Sequence, residues 1–241
     1  MQYFQDAESG TGDKYSFLFT NESVRAGFVR KVFSLVTLMF TVVAGFCVIP
    51  FVWADFSIFL HHHPEIHIIS FIIFFAISIA LSCFESVRRS FPTNIILLAV
   101  FTIAASVMTM CVTAHYELGS VLIALLITTV CCGSIIVFSM KTKHDLTSKI
   151  GIVFILSMVV FSFGIFAMIF SLILKWKFLL SIYAGVAALL TMFYLAIDIQ
   201  MLMGGRQFEL SPEDYIFAAM QIFLDILNIF LLLLSLFGKS K

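Results

Sequence analysis

Seven long apolar stretches, each with no charged residue or almost none, constrain this chain more than any other feature of its sequence. Each is about as long as the ~20 residues that a helix needs to cross the hydrocarbon core of a bilayer. They are Val32–Ala54, Ile66–Phe84, Thr93–Val112, Leu118–Met140, Ile150–Leu174, Phe178–Met203 and Tyr215–Phe237. The connections are short, so neighbouring helices are expected to run antiparallel. The sequence therefore predicts an all-α integral membrane protein, a bundle of seven transmembrane helices.

The composition excludes a water-soluble domain and a nucleic-acid partner. Hydrophobic residues make up 61% of the 241 residues and charged residues 12%, whereas soluble domains are about half apolar and a quarter charged. Lys plus Arg and Asp plus Glu each number 14, so no net charge attracts a polyanion. The lipid bilayer is the partner that this composition implies. The predicted division is a short cytosolic tail at 1–31, a membrane domain at 32–237 and a C-terminal tail at 238–241, with residues 1–24 polar and expected to be disordered.

The positions of Lys and Arg predict the orientation of the helices, because cytosolic loops carry the excess of these residues. A cytosolic N-terminus places ten of the 14 on the cytosolic side and leaves Lys175, Lys177, Lys239 and Lys241 on the other. A re-entrant final segment would bring both termini to the cytosol. A full span is favoured, since the C-terminal half of that segment, LLLLSLF, has no polar break at which to turn back.

Two aspartates inside the last two apolar stretches are the strongest functional signal. A carboxylate at membrane depth costs roughly 2.5–3.5 kcal/mol on insertion scales, so an intramembrane acid is by default a candidate functional residue. Asp198 precedes Gly204 by six residues, and Asp225 follows Tyr215 by ten. Both stretches meet the loop at 204–214, so the sequence predicts that the two carboxylates lie at comparable depths from one membrane face.

Polar residues on the same two helices support a meeting of the acids. On the last helix they are spaced by four, three and seven residues: Gln221, Asp225, Asn228 and Ser235. On the preceding helix one face carries Thr191, Tyr194 and Asp198. Polar stripes of this kind are expected to face the bundle interior. Two acids in contact would share one proton and titrate as a unit, which makes a proton-sensitive latch.

The same carboxylates suggest a metal ligand. When deprotonated, Asp198 and Asp225 offer hard anionic oxygens suited to Ca²⁺. Two carboxylates bind Ca²⁺ weakly, because the ion prefers a shell of about six to eight oxygens. The alternative is that the two acids only hydrogen-bond their helices together.

Four segments resemble those of a known family. They are RRSFPTNIILLAVFT at 88–102, VFSMKTKHDLTS at 137–148, AIDIQMLMGG at 196–205 and LSPEDYIFAAMQIFLDILNIF at 210–230. Together they resemble the transmembrane Bax-inhibitor-motif family, especially its lifeguard and Golgi anti-apoptotic branch. The similarity extends from about Arg30 to the C-terminus and is most specific in the last segment. The long proline-rich tail of lifeguard proteins is missing, and this compact form is similar to the copies carried by large DNA viruses, including herpesviruses.

This resemblance implies a seven-helix fold with a cytosolic N-terminus, a pH-sensitive Ca²⁺ leak from intracellular stores and protection against apoptosis. It implies the endoplasmic reticulum, or alternatively the Golgi, death-pathway membrane proteins as candidate partners, no enzymatic activity and no cofactor. The family's paired aspartates match Asp198 and Asp225. An arginine that engages such a pair in bacterial members corresponds to Arg88 or Arg89. These two arginines are equally typical of basic anchors beside a membrane helix, and Glu85 is placed to pair with one of them.

Three other functions fit paired intramembrane acids. A proton-coupled transporter would use them as a relay, and a non-conducting scaffold would use them for packing. An intramembrane aspartyl protease would use them to activate water, but the contexts LAIDIQ and FLDILN lack that family's YD and GxGD patterns.

A histidine-rich segment offers a separate candidate metal site. His61, His62 and His63 are followed by Glu65 and His67 beside a predicted outer loop. Adjacent histidines in an extended loop point in different directions, and no Cys or Asp follows at structural-zinc spacing. A solvated interfacial loop is therefore favoured over a metal site, and His115 with Glu117 is expected to form only the next outer turn.

Overall fold

A computed structural model describes the backbone at residues 5–175 and 177–240, and the side chains at 23–175 and 178–240. The helices in these ranges are α1 (Gln5–Val52), α2 (Ala54–His62), α3 (Glu65–Cys83), α4 (Glu85–Arg89), α5 (Thr93–Thr113), α6 (Leu118–Lys141), α7 (Ile150–Leu174), α8 (Lys177–Met203) and α9 (Tyr215–Phe237). Short 3-10 turns at Thr147–Lys149 and Pro212–Asp214 precede α7 and α9.

The seven predicted membrane helices are confirmed. Within the described residues, seven helices are long and apolar enough to cross a bilayer: α1 from Ser23, α3, α5, α6, α7, α8 and α9. The last six begin and end within one residue of the predicted bounds. The expectation of a disordered tail is wrong for the part that the structure describes, because α1 begins at Gln5. A helix that has formed adds one hydrogen bond per residue as it extends, and no proline precedes Pro50 to interrupt it.

The last helix, α9, lies at the centre of the bundle. It packs against α1, α5, α6 and α8, while α3 packs on α5 and α7 packs on α8. Phe223 of α9 is fully buried between Phe40 and Phe101, with ring centroids 4.7 and 5.7 Å away. Because lipid tails are as apolar as these side chains, close packing rather than water exclusion stabilises such contacts in a membrane. The helix that carries Asp225 is thus, together with α5, the most enclosed of the described membrane helices.

The two ends of the bundle differ in character. One end, here called the basic face, is formed by residues 25–31, 85–93, 141–149 and 204–214. The opposite end, here called the distal face, is formed by residues 53–64, 114–117 and 238–240. Consecutive glycines, Gly204 and Gly205, end α8 at the basic face with φ of +74° and +72°, a conformation that costs glycine little. An L side chain at Gly204 would be strained by this backbone conformation, and its Cβ would also lie 2.8 Å from Cζ of Arg25, so the turn favours glycine.

The last segment has the geometry of a full span. Helix α9 is continuous for 23 residues, which is about 35 Å at the helical rise. Beyond it, Ser240 forms an isolated antiparallel bridge with Tyr116, and the Glu117 N–H donates to the Lys239 carbonyl at 3.0 Å. The Lys239 ammonium pairs with the Glu117 carboxylate at 3.1 Å. The C-terminal residues therefore lie at the distal face, whereas Arg25 of α1 lies at the basic face.

Candidate functional site

The side chains of Asp198 on α8 and Asp225 on α9 lie within hydrogen-bonding distance of each other. Asp198 is buried, with 7% of its surface exposed, and Oδ2 of Asp225 is enclosed without a hydrogen-bond partner. Ionised carboxylates can only accept hydrogen bonds, so a bond between two of them requires a proton. The structure thus brings the two predicted acids together as a pair that can hold one proton between them.

Apolar side chains close the pair off from the basic face. Leu195, Ile199 and Ile222 flank the acids and belong to a buried cluster that includes side chains from α1 and α6. Toward the basic face the same cluster continues with Phe28 and Leu202. Ile222, Phe28 and Leu202 form an apolar layer between the pair and the basic face, here called the apolar seal.

A cavity of about 380 Å³ lies on the other side of the pair, between α7, α8 and α9. Tyr194 and Asn228 line it, each about one helical turn from an acid and on the side away from the basic face. Thr191, Ser157 and Tyr183 contribute further polar atoms to the lining. Water or a cation in this cavity would therefore lie close to the carboxyl pair without crossing the apolar seal.

The expected inward-facing stripe on α9 is only partly observed. Gln221 is half-buried and Asp225 contacts Asp198, but Asn228 and Ser235 are exposed, so for these two residues the expectation is wrong. Helix α7 packs on α8 rather than on α9, which leaves the side of α9 that carries Asn228 uncovered beside the cavity. On α8, Thr191 and Tyr194 share the cavity lining as their spacing predicts.

The structure does not bring Arg88 and Arg89 to the aspartate pair. Nε of Arg88 and Nε of Arg89 donate to Oδ1 of Asp214 at 3.0 and 2.9 Å, and a second nitrogen of Arg89 donates to Oδ2 at 3.0 Å. Asp214 precedes Asp225 by eleven residues, about 16 Å along a helix. Glu85 pairs with Arg89, as its spacing predicts. The hydrogen bond to Asp214 raises the pKa of Arg89 above its ordinary value.

Asp214 is the residue that the sequence interpretation missed. It is the last residue of the 3-10 turn that Ser211 caps, and it lies directly before α9. Acidic residues are common at helix N-termini, where they favour the helix dipole, so nothing local distinguishes Asp214 from an ordinary cap. Its burial, with 6% of its surface exposed, depends on α4 packing over the start of α9.

Comparison with known proteins now identifies the family. The family model described as "Inhibitor of apoptosis-promoting Bax1", or Bax1-I, matches residues 25–241. The chain belongs to this family. Human protein lifeguard 3 is 34% identical over 224 residues, which cover 92% of this chain and 71% of the human protein.

Two further relatives agree with this placement. Mouse protein lifeguard 3 is 31% identical over 240 residues, covering 98% of this Bax1-I chain and 77% of the mouse protein. Mouse protein lifeguard 4 is 27% identical over 220 residues, covering 88% and 84% respectively. No solved structure matches the chain significantly. The predicted family resemblance is therefore confirmed, and the protein is a multi-pass membrane protein of the Bax1-I family.

Removal of the Asp214 charge is expected to loosen the basic face of this Bax1-I protein. Asp214→Asn keeps the size of the side chain but leaves the guanidiniums of Arg88 and Arg89 without their shared anion. We expect the midpoint of thermal unfolding in detergent to fall by about 4 °C, as for a loss near 1–2 kcal/mol in a chain of this size. Glu213→Gln is the matched control, because Glu213 is an exposed neighbour whose carboxylate lies 3.3 Å from Nη1 of Arg89. Equal midpoints for the two variants would contradict this assignment.

A buried glutamine joins the two loops of the basic face. Oε1 of Gln200 accepts the Leu146 N–H at 2.8 Å, and its Nε2 donates to the His144 carbonyl at 2.9 Å. Gln200 is 1% exposed and lies two residues after Asp198. The α6–α7 loop is thereby fixed to the end of α8 directly beside the apolar seal.

Charged side chains extend this network across the basic face. Arg206 donates to the carbonyls of Lys143 and Thr142 at the end of α6. Arg25 of α1 donates to the Leu210 carbonyl at 2.8 Å and pairs with Glu209 at 3.2 Å. The loop at 204–214 is therefore tied to α1, α4 and the α6–α7 loop, so a movement of α8 relative to α9 must rearrange these bonds.

In the part of the chain that the structure describes, no group of three or more His, Cys, Asp or Glu side chains is arranged to hold a metal ion. Asp198 and Asp225 therefore offer Ca²⁺ two carboxylates, far fewer oxygens than a high-affinity site supplies.

Proposed function

We propose that this Bax1-I protein is a pH-sensitive Ca²⁺ leak of an intracellular membrane, the endoplasmic reticulum or alternatively the Golgi, and that it inhibits apoptosis by lowering stored Ca²⁺. The observation that carries the proposal is the contact between Asp198 and Asp225, placed between the apolar seal and a cavity whose lining includes Thr191, Tyr194 and Asn228. The family name, inhibitor of apoptosis-promoting Bax1, supports the anti-apoptotic part. No catalytic step belongs to this function.

The proposed gate works through the shared proton. With one proton between them, Asp198 and Asp225 hold α8 against α9, and the apolar seal stays closed. When both ionise, two like charges repel strongly in a poorly hydrated site. The helices then separate, and the exposed carboxylates attract Ca²⁺ from the cavity beside Asn228. The leak therefore opens as pH rises through the titration of the pair and closes as pH falls.

Three other functions are distinguishable from a leak. The closed apolar seal favours a non-conducting anti-apoptotic scaffold that binds death-pathway membrane proteins, and the paired acids favour a proton-coupled transporter. An aspartyl protease would need the same acids to activate water. Each of these functions gives a different result in one reconstituted assay.

The test uses purified protein in Ca²⁺-loaded vesicles at acidic, neutral and alkaline pH, with the membrane potential clamped. Downhill Ca²⁺ release without a counter-substrate, faster at alkaline pH, is the expected result. Release that requires an opposing proton gradient would indicate a transporter, and cleavage of a membrane peptide would indicate a protease. If the wild-type protein protects cells from apoptosis but releases no Ca²⁺ from vesicles, the result would indicate the scaffold.

We also propose a cytosolic N-terminus, supported by the excess of Lys and Arg at the basic face. The prediction concerns glycosylation in endoplasmic reticulum membranes. An acceptor tag appended after the C-terminus is expected to be modified, because α9 carries it to the distal face, whereas the native Asn21-Glu22-Ser23 sequon stays unmodified. Modification of the native sequon together with an unmodified C-terminal tag would show the opposite orientation. Absence of modification at both sites would indicate a re-entrant last segment.

A further inference from the structure

Four histidines line one cavity at the distal face, far from the carboxyl pair. The cavity has a volume of about 400 Å³. Its histidines are His61 in the last turn of α2, His63 in the α2–α3 turn, His67 in the first turn of α3 and His115 after α5. The expectation that this segment is an extended loop is wrong, because His61 lies in a helix and its neighbour in space, His115, comes from a different part of the chain.

Two of these imidazoles already have the tautomer that a metal needs. Nδ1 of His61 lies 2.7 Å from the Ser57 carbonyl oxygen, and Nδ1 of His115 lies 2.8 Å from the Cys111 carbonyl oxygen. A carbonyl oxygen only accepts, so each Nδ1 carries the proton and each Nε2 keeps its lone pair. Metal-bound histidines are oriented by the same kind of bond to a backbone carbonyl. The two ring centroids are 4.3 Å apart.

The other two histidines each supply a further nitrogen. Nδ1 of His63 contacts the Glu65 carboxylate, and in the neutral imidazole this bond leaves the lone pair on Nε2 of His63. Nδ1 of His67 is buried without a hydrogen-bond partner. Buried polar nitrogens rarely lack a partner, and an ion or a water is the usual explanation when one does. The unpartnered nitrogen of His67 therefore points to a ligand in this cavity.

We propose that this cavity binds one divalent transition-metal ion of the Zn²⁺ class through Nε2 of His61, Nε2 of His115 and a third nitrogen from His63 or His67. Three ligand atoms do not already converge among the described residues, so the third histidine turns inward when the metal binds. The His63 side chain is half-buried and contacts the Glu65 carboxylate and the Phe59 ring, and a rotation about χ1 would exchange these contacts for the metal. Imidazole nitrogens favour Zn²⁺ over Ca²⁺, which takes oxygen ligands. The bound metal would fasten the α2–α3 turn to the end of α5.

Isothermal titration calorimetry tests this site, with ZnCl₂ titrated into the purified full chain in nanodiscs. We expect one Zn²⁺ per chain, not displaced by excess CaCl₂. His61→Ala and His115→Ala are each expected to weaken binding by at least the factor of about ten that loss of an orienting partner alone costs. Comparison of His63→Ala with His67→Ala identifies the third ligand. His62→Ala is the matched control, since His62 is adjacent in sequence but is not part of the cavity lining, and its affinity is expected to equal that of the wild type.

Several results would overturn the proposal: wild-type affinity in both His61→Ala and His115→Ala, an equal loss in His62→Ala, or a loss in Asp198→Asn that assigns the metal to the carboxyl pair. Co²⁺ in place of Zn²⁺ gives a readout on the wild-type chain that does not depend on whether a variant folds. Nitrogen ligation is expected to produce visible ligand-field absorption that ZnCl₂ abolishes. Absorption of hydrated Co²⁺ alone would also overturn the site. The results for the histidine variants and for Co²⁺ do not bear on Ca²⁺ release by the carboxyl pair, so the two proposals fail independently.

Discussion

Vesicles containing Asp225→Asn are expected to release Ca²⁺ slowly at every pH, whereas release by the wild type rises from acidic to alkaline pH. The variant cannot place a second negative charge beside Asp198, so the repulsion that separates α8 from α9 never develops. Two unit charges about 4 Å apart repel by about 4 kcal/mol at an effective dielectric constant of 20. A tenfold change in an equilibrium constant needs about 1.4 kcal/mol. The rate of Ca²⁺ release at alkaline pH is therefore expected to fall by roughly tenfold or more.

The direction of the pH effect and the choice of control variant both follow from the contact between the two acids. A protonated pair is the closed state, so acid pH brings the wild type down to the level of the variant. Asp198→Asn is expected to behave like Asp225→Asn, because either change removes half of the pair. Asp55→Asn is the matched control, since Asp55 is an exposed acid on α2 at the distal face. A wild-type pH profile in Asp225→Asn would refute the gate, and a flat profile in Asp55→Asn would point to a general surface-charge effect.

Gln200→Leu is expected to lower the free energy of unfolding by about 2–4 kcal/mol. Leucine fills nearly the same space but leaves the Leu146 N–H and the His144 carbonyl without their partners. Each buried backbone group that loses its hydrogen bond costs about 1–3 kcal/mol, and the loop position lets water recover part of that cost. Reversible unfolding in mixed micelles, followed by circular dichroism, measures the difference.

Gln207→Leu provides the matched control for that measurement. Gln207 lies on the neighbouring loop with an exposed side chain, and its contact to Asp145 is made by the backbone N–H. The same chemical change there is expected to alter stability by less than about 0.5 kcal/mol. If Gln200→Leu were as stable as Gln207→Leu, the hydrogen bonds of Gln200 would not be what fixes the α6–α7 loop to α8.

The polar network of the basic face and the carboxyl pair are mechanically connected. Gln200 and Leu202 lie on the last turn of α8, just beyond Asp198, and the Arg25 guanidinium reaches the Leu202 carbonyl at 3.5 Å. A displacement of α8 at Asp198 is therefore transmitted to these bonds within one or two turns. A hydrogen bond from the Thr147 hydroxyl, assisted by the Gln207 N–H, lowers the pKa of Asp145 below its ordinary value. Asp145 thus remains a charged acceptor for the loop over the working pH range.

Helix positions and the depths of the acids were predictable because they depend on properties local to the chain. A run of about 20 apolar residues has one low-energy state in a bilayer, a helix that satisfies its own backbone. Depth then follows from counting residues at a fixed rise, which placed Asp198 and Asp225 at matching heights. The contact between them further required that α8 and α9 be neighbours, which the loop at 204–214 favours, and that both helices turn their acids toward each other.

Helix rotation and the pairing of distant segments were not predictable in the same way. In a membrane both the lipid-facing and the core-facing surfaces of a helix are apolar, so periodicity gives little information on which side is buried. For this reason the exposure of Asn228 and Ser235 departed from the stripe expected on α9.

The sequence by itself thus determined the seven spans, the family and the depth of the two acids, since each depends on composition and spacing along one helix or its neighbour. The tertiary structure alone decided that Arg88 and Arg89 bind Asp214 rather than the acid pair, and that His61 lies against His115. These contacts join residues more than fifty positions apart. Their existence depends on how the helices pack, and van der Waals fit between apolar surfaces sets that packing without a local signature in the chain.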